Sequence, residues 1–111
     1  MEDWKAQLQT EFERAEAARE RGNEAQARVC ARRAAGIAIR EYYARRGQAV
    51  RTPSAYDLLQ LLRDEPQLSP ELKQAAAYLT LRVTEEFKLP VAVDPLEEAR
   101  KLCDGLLPET K

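Results

Sequence analysis

Apolar side chains recur every three to four residues along most of this chain, and no segment alternates apolar with polar over a strand's length. Breakers at Gly22-Asn23, Gly47, Glu65-Pro66, Pro90 and Pro108 cut the repeat into five stretches, each of which reads as a helix. The first runs from about residue 2 to 21, with Trp4, Leu8, Phe12 (or Glu11), Ala15 and Ala18 as an apolar stripe on a charged rod. The second starts from Asn23 as N-cap and continues to about Arg46, roughly 36 Å at 1.5 Å per residue. Its Ala27, Ala31, Ala34, Ala35, Ala38 and Tyr42 fall on one side, and small side chains there admit another helix closely. Two arginines and then Gly47 make a helix exit of cations followed by glycine.

Thr52-Pro53-Ser54 opens a short third helix, with Ser54 as cap, Asp57 in the first turn and a broad face of Leu58, Leu59, Leu61 and Leu62. Ser69-Pro70-Glu71 starts a fourth, expected to reach about Phe87 and to bury Leu72, Ala75, Ala76, Leu79, Val83 and Phe87. Asp94-Pro95 repeats the cap-then-proline signal for a fifth, whose stripe is Leu96, Ala99, Leu102, Cys103 and Leu106. The expected fold class is all-α: a four-helix up-and-down bundle with an additional short helix, residues 1–111 forming a single domain.

With 111 residues, 44% hydrophobic and 33% charged, the chain has the composition of an ordinary globular domain with one core. No apolar run approaches the roughly 20 residues that cross a bilayer, so no membrane partner is expected. The start Met1-Glu2-Asp3-Trp4 lacks the apolar segment of a signal peptide, and the expected compartment is the cytoplasm. Cys30 and Cys103 are then expected as free thiols packed in the core. Two thiols and no imidazole leave tetrahedral zinc coordination unfilled.

The net charge of −1 hides an uneven distribution. Residues 28–51 carry Arg28, Arg32, Arg33, Arg40, Arg45, Arg46 and Arg51 against Glu41 alone, while the segments on either side are net acidic. The second helix is therefore a basic strip in an acidic protein.

That same helix carries a family resemblance. Val29-Cys30-Ala31-Arg32-Arg33-Ala34-Ala35-Gly36-Ile37-Ala38-Ile39-Arg40, followed by Arg46-Gly47, resembles the alanine-rich second helix and glycine exit of the HEPN family (higher eukaryotes and prokaryotes nucleotide-binding). Ser54-Ala55-Tyr56-Asp57-Leu58 is similar to that family's Thr-His-Asp-Leu-like element, and Glu97-Glu98-Ala99 to its last-helix motif. The family's usual glutamate is Gly36 here and its usual histidine is Tyr56. Ribonuclease members resemble one another in an arginine followed four to six residues later by histidine; here Arg82 is followed by Phe87, and the chain has no histidine. A histidine suits the proton transfer at an RNA ribose hydroxyl because its pKa lies near neutral pH. The resemblance thus implies a HEPN-like domain without catalysis, a dimer, and a nucleotide or a nucleotidyltransferase as partner. A divergent ribonuclease would have to work without that general base.

No other reaction has its residues. Ser/His and Cys/His nucleophilic sites need the missing imidazole, and the four glycines form no phosphate-cradling loop. Glu85-Glu86 and Glu97-Glu98 are adjacent pairs about 100° apart on a helix, which suits a solvated face better than a metal. No cofactor is implied. The candidate nucleotide or anion site is Arg33 and Arg40, seven residues apart, with Tyr43 near the same face to stack a base. Against it stands the use of arginine as a helix former that pairs with neighbouring acids. Gly36 in mid-helix costs roughly 1 kcal/mol against alanine, which close approach of a second copy would explain as well as simple tolerance does. A helical interaction scaffold with no small ligand is the alternative of a different class.

Overall fold

The computed structural model describes residues 3–48, 50–52, 54–81 and 93–108. Five helices follow in chain order: α1 (Trp4–Glu20), α2 (Glu24–Arg45), α3 (Ala55–Arg63), α4 (Pro70–Leu79) and α5 (Pro95–Leu106), and no strand occurs among the described residues. The chain is an all-α helical bundle. No described helix is long and apolar enough to cross a membrane.

Four of the five starts use the caps that local chemistry demands. Asn23, Ser54, Ser69 and Asp94 each accept a hydrogen bond from a backbone N–H of the first turn, which would otherwise have no partner. Pro70 and Pro95 stand just after the cap, where a missing N–H costs nothing. The exits of α1 and α2 run through Gly22 and Gly47 in the left-handed region, at φ of 77° and 74°. In that conformation Asn23 N–H reaches back to the Ala18 carbonyl and Gln48 N–H to that of Tyr43, satisfying the last turn of each helix.

Around α2 the bundle assembles: α1, α3 and α5 all pack on it, and α4 closes the other side against α3 and α5. Ala27, Ala31, Ala34, Ala35 and Ala38 of α2 are fully buried, which is what permits one helix to have three neighbours. Leucines from elsewhere fill the remaining core, among them Leu58, Leu59, Leu62, Leu102 and Leu107, each worth about 2 kcal/mol on burial. The expected stripe of α1 is buried except for Trp4, which is half-buried, and Leu61 of α3 is 43% exposed.

The fourth helix departs from expectation by ending at Leu79 rather than near Phe87. Two groups stop it. Thr80 Oγ1 donates to the Ala77 carbonyl at 2.7 Å, and Arg32 reaches across from α2 to donate through Nε to Leu79 O (2.7 Å) and Nη2 to Leu81 O (2.6 Å). A guanidinium on the terminal carbonyls satisfies acceptors that a further helical turn would have used. Arg82, Val83, Glu85, Glu86, Phe87 and Pro90 lie outside the described residues.

Ion pairs tie α1 to the rest. Arg19 bridges Glu24 at the start of α2 and Asp94, the cap of α5, with contacts of 2.7 and 2.9 Å. Arg100 of α5 pairs with Glu16 and lies 4.3 Å from the centroid of the Phe12 ring. The Arg19 hydrogen bonds hold the Asp94 carboxyl below the usual carboxylate range, against partial burial, which pushes it up. Asp94 therefore contributes stability that is complete above its unfolded pKa of about 3.9 and is lost as pH falls through the depressed folded value. Asp94→Asn, which keeps a capping oxygen, should flatten that acid limb of the stability curve in urea melts between about pH 5 and 2. Asp94→Ala should also lose the cap, at a cost of about 1 kcal/mol near neutral pH.

Candidate functional site

Five of the seven arginines of the basic strip separate into two groups by their partners. Arg32 is committed to the end of α4. Arg45 pairs with Glu41 at 2.9 Å and lies 5.3 Å from the Trp4 ring centroid. Arg46 stacks over Tyr42, donates to its hydroxyl and to Gln67 Oε1, and so braces the α2 exit against the α3–α4 connection. These side chains hold the fold together.

Arg33 and Arg40 remain on an exposed face, two helical turns apart. They line one cleft of about 170 Å³, together with Glu11 of α1, Gly36 and Ile37 of α2, and Ala55 and Leu58 of α3. Arg40 is positioned by a hydrogen bond from Nη2 to the Thr52 carbonyl at 2.9 Å, in the connection leading to α3. Arg33 has no hydrogen bond or ion pair with any described residue. The structure thus brings together two guanidinium groups, one anchored and one with no partner among the described residues.

Gly36 forms part of the floor, and its neighbour is within the chain. A Cβ built there would meet Ala55 Cβ at 3.3 Å and Leu58 Cδ1 at 3.5 Å. The close approach expected of a second copy is made instead by α3, which buries Gly36 and closes it to any outside helix. The packing reason for a glycine at this position is thus found within the chain. Tyr43 is not among the residues lining the cleft: it is 2% exposed and continues the buried row Ala35–Ile39–Tyr43. Its ring meets Tyr42 edge-on, with centroids 5.2 Å apart. Its hydroxyl is buried without a hydrogen-bond partner among the described residues, and burial, aided by the charge of Glu65, raises its pKa.

Sequence reasoning missed Glu11 as a cleft residue. One of its carboxylate oxygens is buried with no hydrogen-bond partner among the described residues, and the other lies 3.8 Å from Arg14 Nη1. The signal available was the choice between Glu11 and Phe12 for the stripe of the first helix: Phe12 takes the core, which leaves Glu11 beside α2. An unsatisfied carboxylate oxygen next to two arginines gives the cleft both signs of charge.

Elsewhere the chemistry is sparse. Cys30 and Cys103 are free and buried, and burial pushes the Cys103 thiol up to about 12, far from the thiolate a nucleophile needs. Glu97 is exposed, whereas Glu98 is 6% exposed and pairs with Lys101 at 3.0 Å. No group of three or more metal-binding side chains occurs among the described residues. No protein-family model matches the chain, and neither a curated protein nor a solved structure matches it.

The packing of Gly36 has a direct test. Gly36→Leu should force α3 away from α2 and lower stability by about 1–3 kcal/mol in urea melts. A variant as stable as the parent would mean that Ala55 and Leu58 do not occupy that space.

Proposed function

We propose that this chain is a non-catalytic HEPN-like domain acting as a dimeric accessory or binding subunit, with an anionic group, in its sharpest form the phosphate of a nucleotide, held by Arg33 and Arg40. The observation that carries the reading is one cleft holding an anchored guanidinium and a second that has no partner among the described residues. An anion that enters gains two charge-assisted contacts, and only one side chain must be ordered to make them. The resemblance to the HEPN family supports the nucleotide and, separately, a nucleotidyltransferase as protein partner. Stacking of the base by Tyr43 forms no part of the proposal, since that ring is buried.

Catalysis is left out because of chemistry. A nuclease of this family's type needs a group that exchanges protons near neutral pH, and the chain contains no histidine. Burial moves the Cys103 thiol the wrong way for a base or nucleophile at that pH.

One observation favours the second reading, a helical interaction scaffold with no small ligand. At about 170 Å³ the cleft is below the roughly 300–1,000 Å³ of small-molecule pockets, and it contains Glu11, which repels phosphate.

Calorimetric titration of ATP, GTP and a short RNA into the parent and into Arg33→Ala/Arg40→Ala separates the two. The proposal expects binding by the parent and a loss of about tenfold or more in the double variant, from charge-assisted hydrogen bonds worth about 1.5–3 kcal/mol each. Absent binding, or binding that the double variant leaves intact, favours the scaffold.

A further inference from the structure

Gly36 packs against α3 of its own chain, and α1 presents a different surface for a second copy. At 100° per residue, Thr10, Glu13, Arg14, Ala17, Glu20 and Arg21 share an arc of about 120°, opposite the buried Leu8, Phe12, Ala15 and Ala18. Thr10, Glu13, Arg14, Glu20 and Arg21 are exposed, and Ala17 is the half-buried residue at the centre of the arc. The charges within this arc are sorted. Glu13 and Glu20 form one edge, on the side of Glu16 and its α5 partner Arg100. Arg14 and Arg21 form the other edge, where both line the shallow groove that runs along α2. Small residues, Thr10 and Ala17, separate the two edges.

These charges are also uncommitted. Glu13, Glu20 and Arg21 make no hydrogen bond or ion pair with any described residue, and Arg14 has only the 3.8 Å approach to Glu11. By contrast Glu16 pairs with Arg100, and Arg19 with Glu24 and Asp94.

We infer that this face of α1 docks the same face of a second copy, the two α1 helices running parallel about a two-fold axis along their length. The inference rests on the dimeric reading proposed above and specifies its surface. Symmetry decides the direction. A two-fold axis parallel to the helices brings the acidic edge of each copy against the basic edge of the other, so Glu13 meets Arg14 and Glu20 meets Arg21, twice over. An antiparallel pair with its axis perpendicular to both helices brings acid to acid and arginine to arginine, which is repulsive. Thr10 and Ala17, seven residues apart, then each lie opposite their own counterparts, and their small size allows the helices to approach closely. Exposed ion pairs contribute little individually, so the dimer is weak and salt-sensitive.

Sedimentation of the full chain at about 100 µM, compared at about 50 and 500 mM salt, reads the association directly. Glu13→Arg/Glu20→Arg and Arg14→Glu/Arg21→Glu should each be monomeric, and a one-to-one mixture of the two should associate again, which also shows that both are folded. Under mild oxidation Thr10→Cys and Ala17→Cys should each give a disulfide-linked dimer, whereas Glu71→Cys on the exposed side of α4 should not. A dimer that persists unchanged in both charge variants overturns this surface while leaving the dimeric reading intact. Cross-linking of Ala17→Cys without Thr10→Cys overturns the parallel arrangement. A parent chain that stays monomeric in low salt, with no cross-link at either position, removes the dimer itself, and the nucleotide titration remains a separate result.

Discussion

The whole bundle depends on how little side chain α2 carries toward its neighbours. Alanine and glycine cover the surfaces on which α1, α3 and α5 rest, so backbones approach and the larger leucines of α3 and α5 fill the volume left between them. A helix that must serve three partners cannot present large residues to all of them without holding them apart. Gly36 is the extreme of this arrangement, placed where the first turn of α3 comes nearest. Because α3 is short and caps itself with Ser54, its position is set by that contact and by Leu58, Leu59 and Leu62 rather than by length.

A consequence is that polar function has been pushed to the edges of α2. Its buried side is alanine, so the arginines occupy what remains, and each takes a role from the element that passes nearby. Arg32 meets the end of α4, Arg45 meets Trp4, Arg46 meets Tyr42 and Gln67, and Arg40 meets the connection before α3 through the Thr52 carbonyl. Arg33 lines the cleft between α1 and α3 without a hydrogen bond or ion pair to any described residue. The distinction between structural and available arginines thus follows from what packs where, not from the arginines themselves.

Much of the architecture was legible in the residues because it is written locally. Caps at Asn23, Ser54, Ser69 and Asp94, prolines after two of them and glycines after α1 and α2 need only a few neighbouring positions to be read. What was not legible came from distance. The end of α4 is set by a guanidinium 47 residues earlier in the chain, and an apolar pattern that continues past Leu79 carries no trace of it. Tyr43 was assigned to the arginine face from its spacing to Arg40, yet it also stands four residues after Ile39, and the core claimed it. Glu11 entered the cleft because Phe12 went inward. In each case two periodic readings were compatible with one sequence and packing chose between them.

The two sulfur atoms are sealed into the helices that form the centre of the bundle, Cys30 on α2 and Cys103 on α5, which pack against each other. In the closed protein Cys103 is both shielded and protonated, so an alkylating or oxidising reagent finds no thiolate to attack. Chemical modification of Cys103 must wait for α5 to lift from the bundle, and its pace therefore counts those openings. The fold carries its own clock for breathing motions, readable by mass without any added label on the surface.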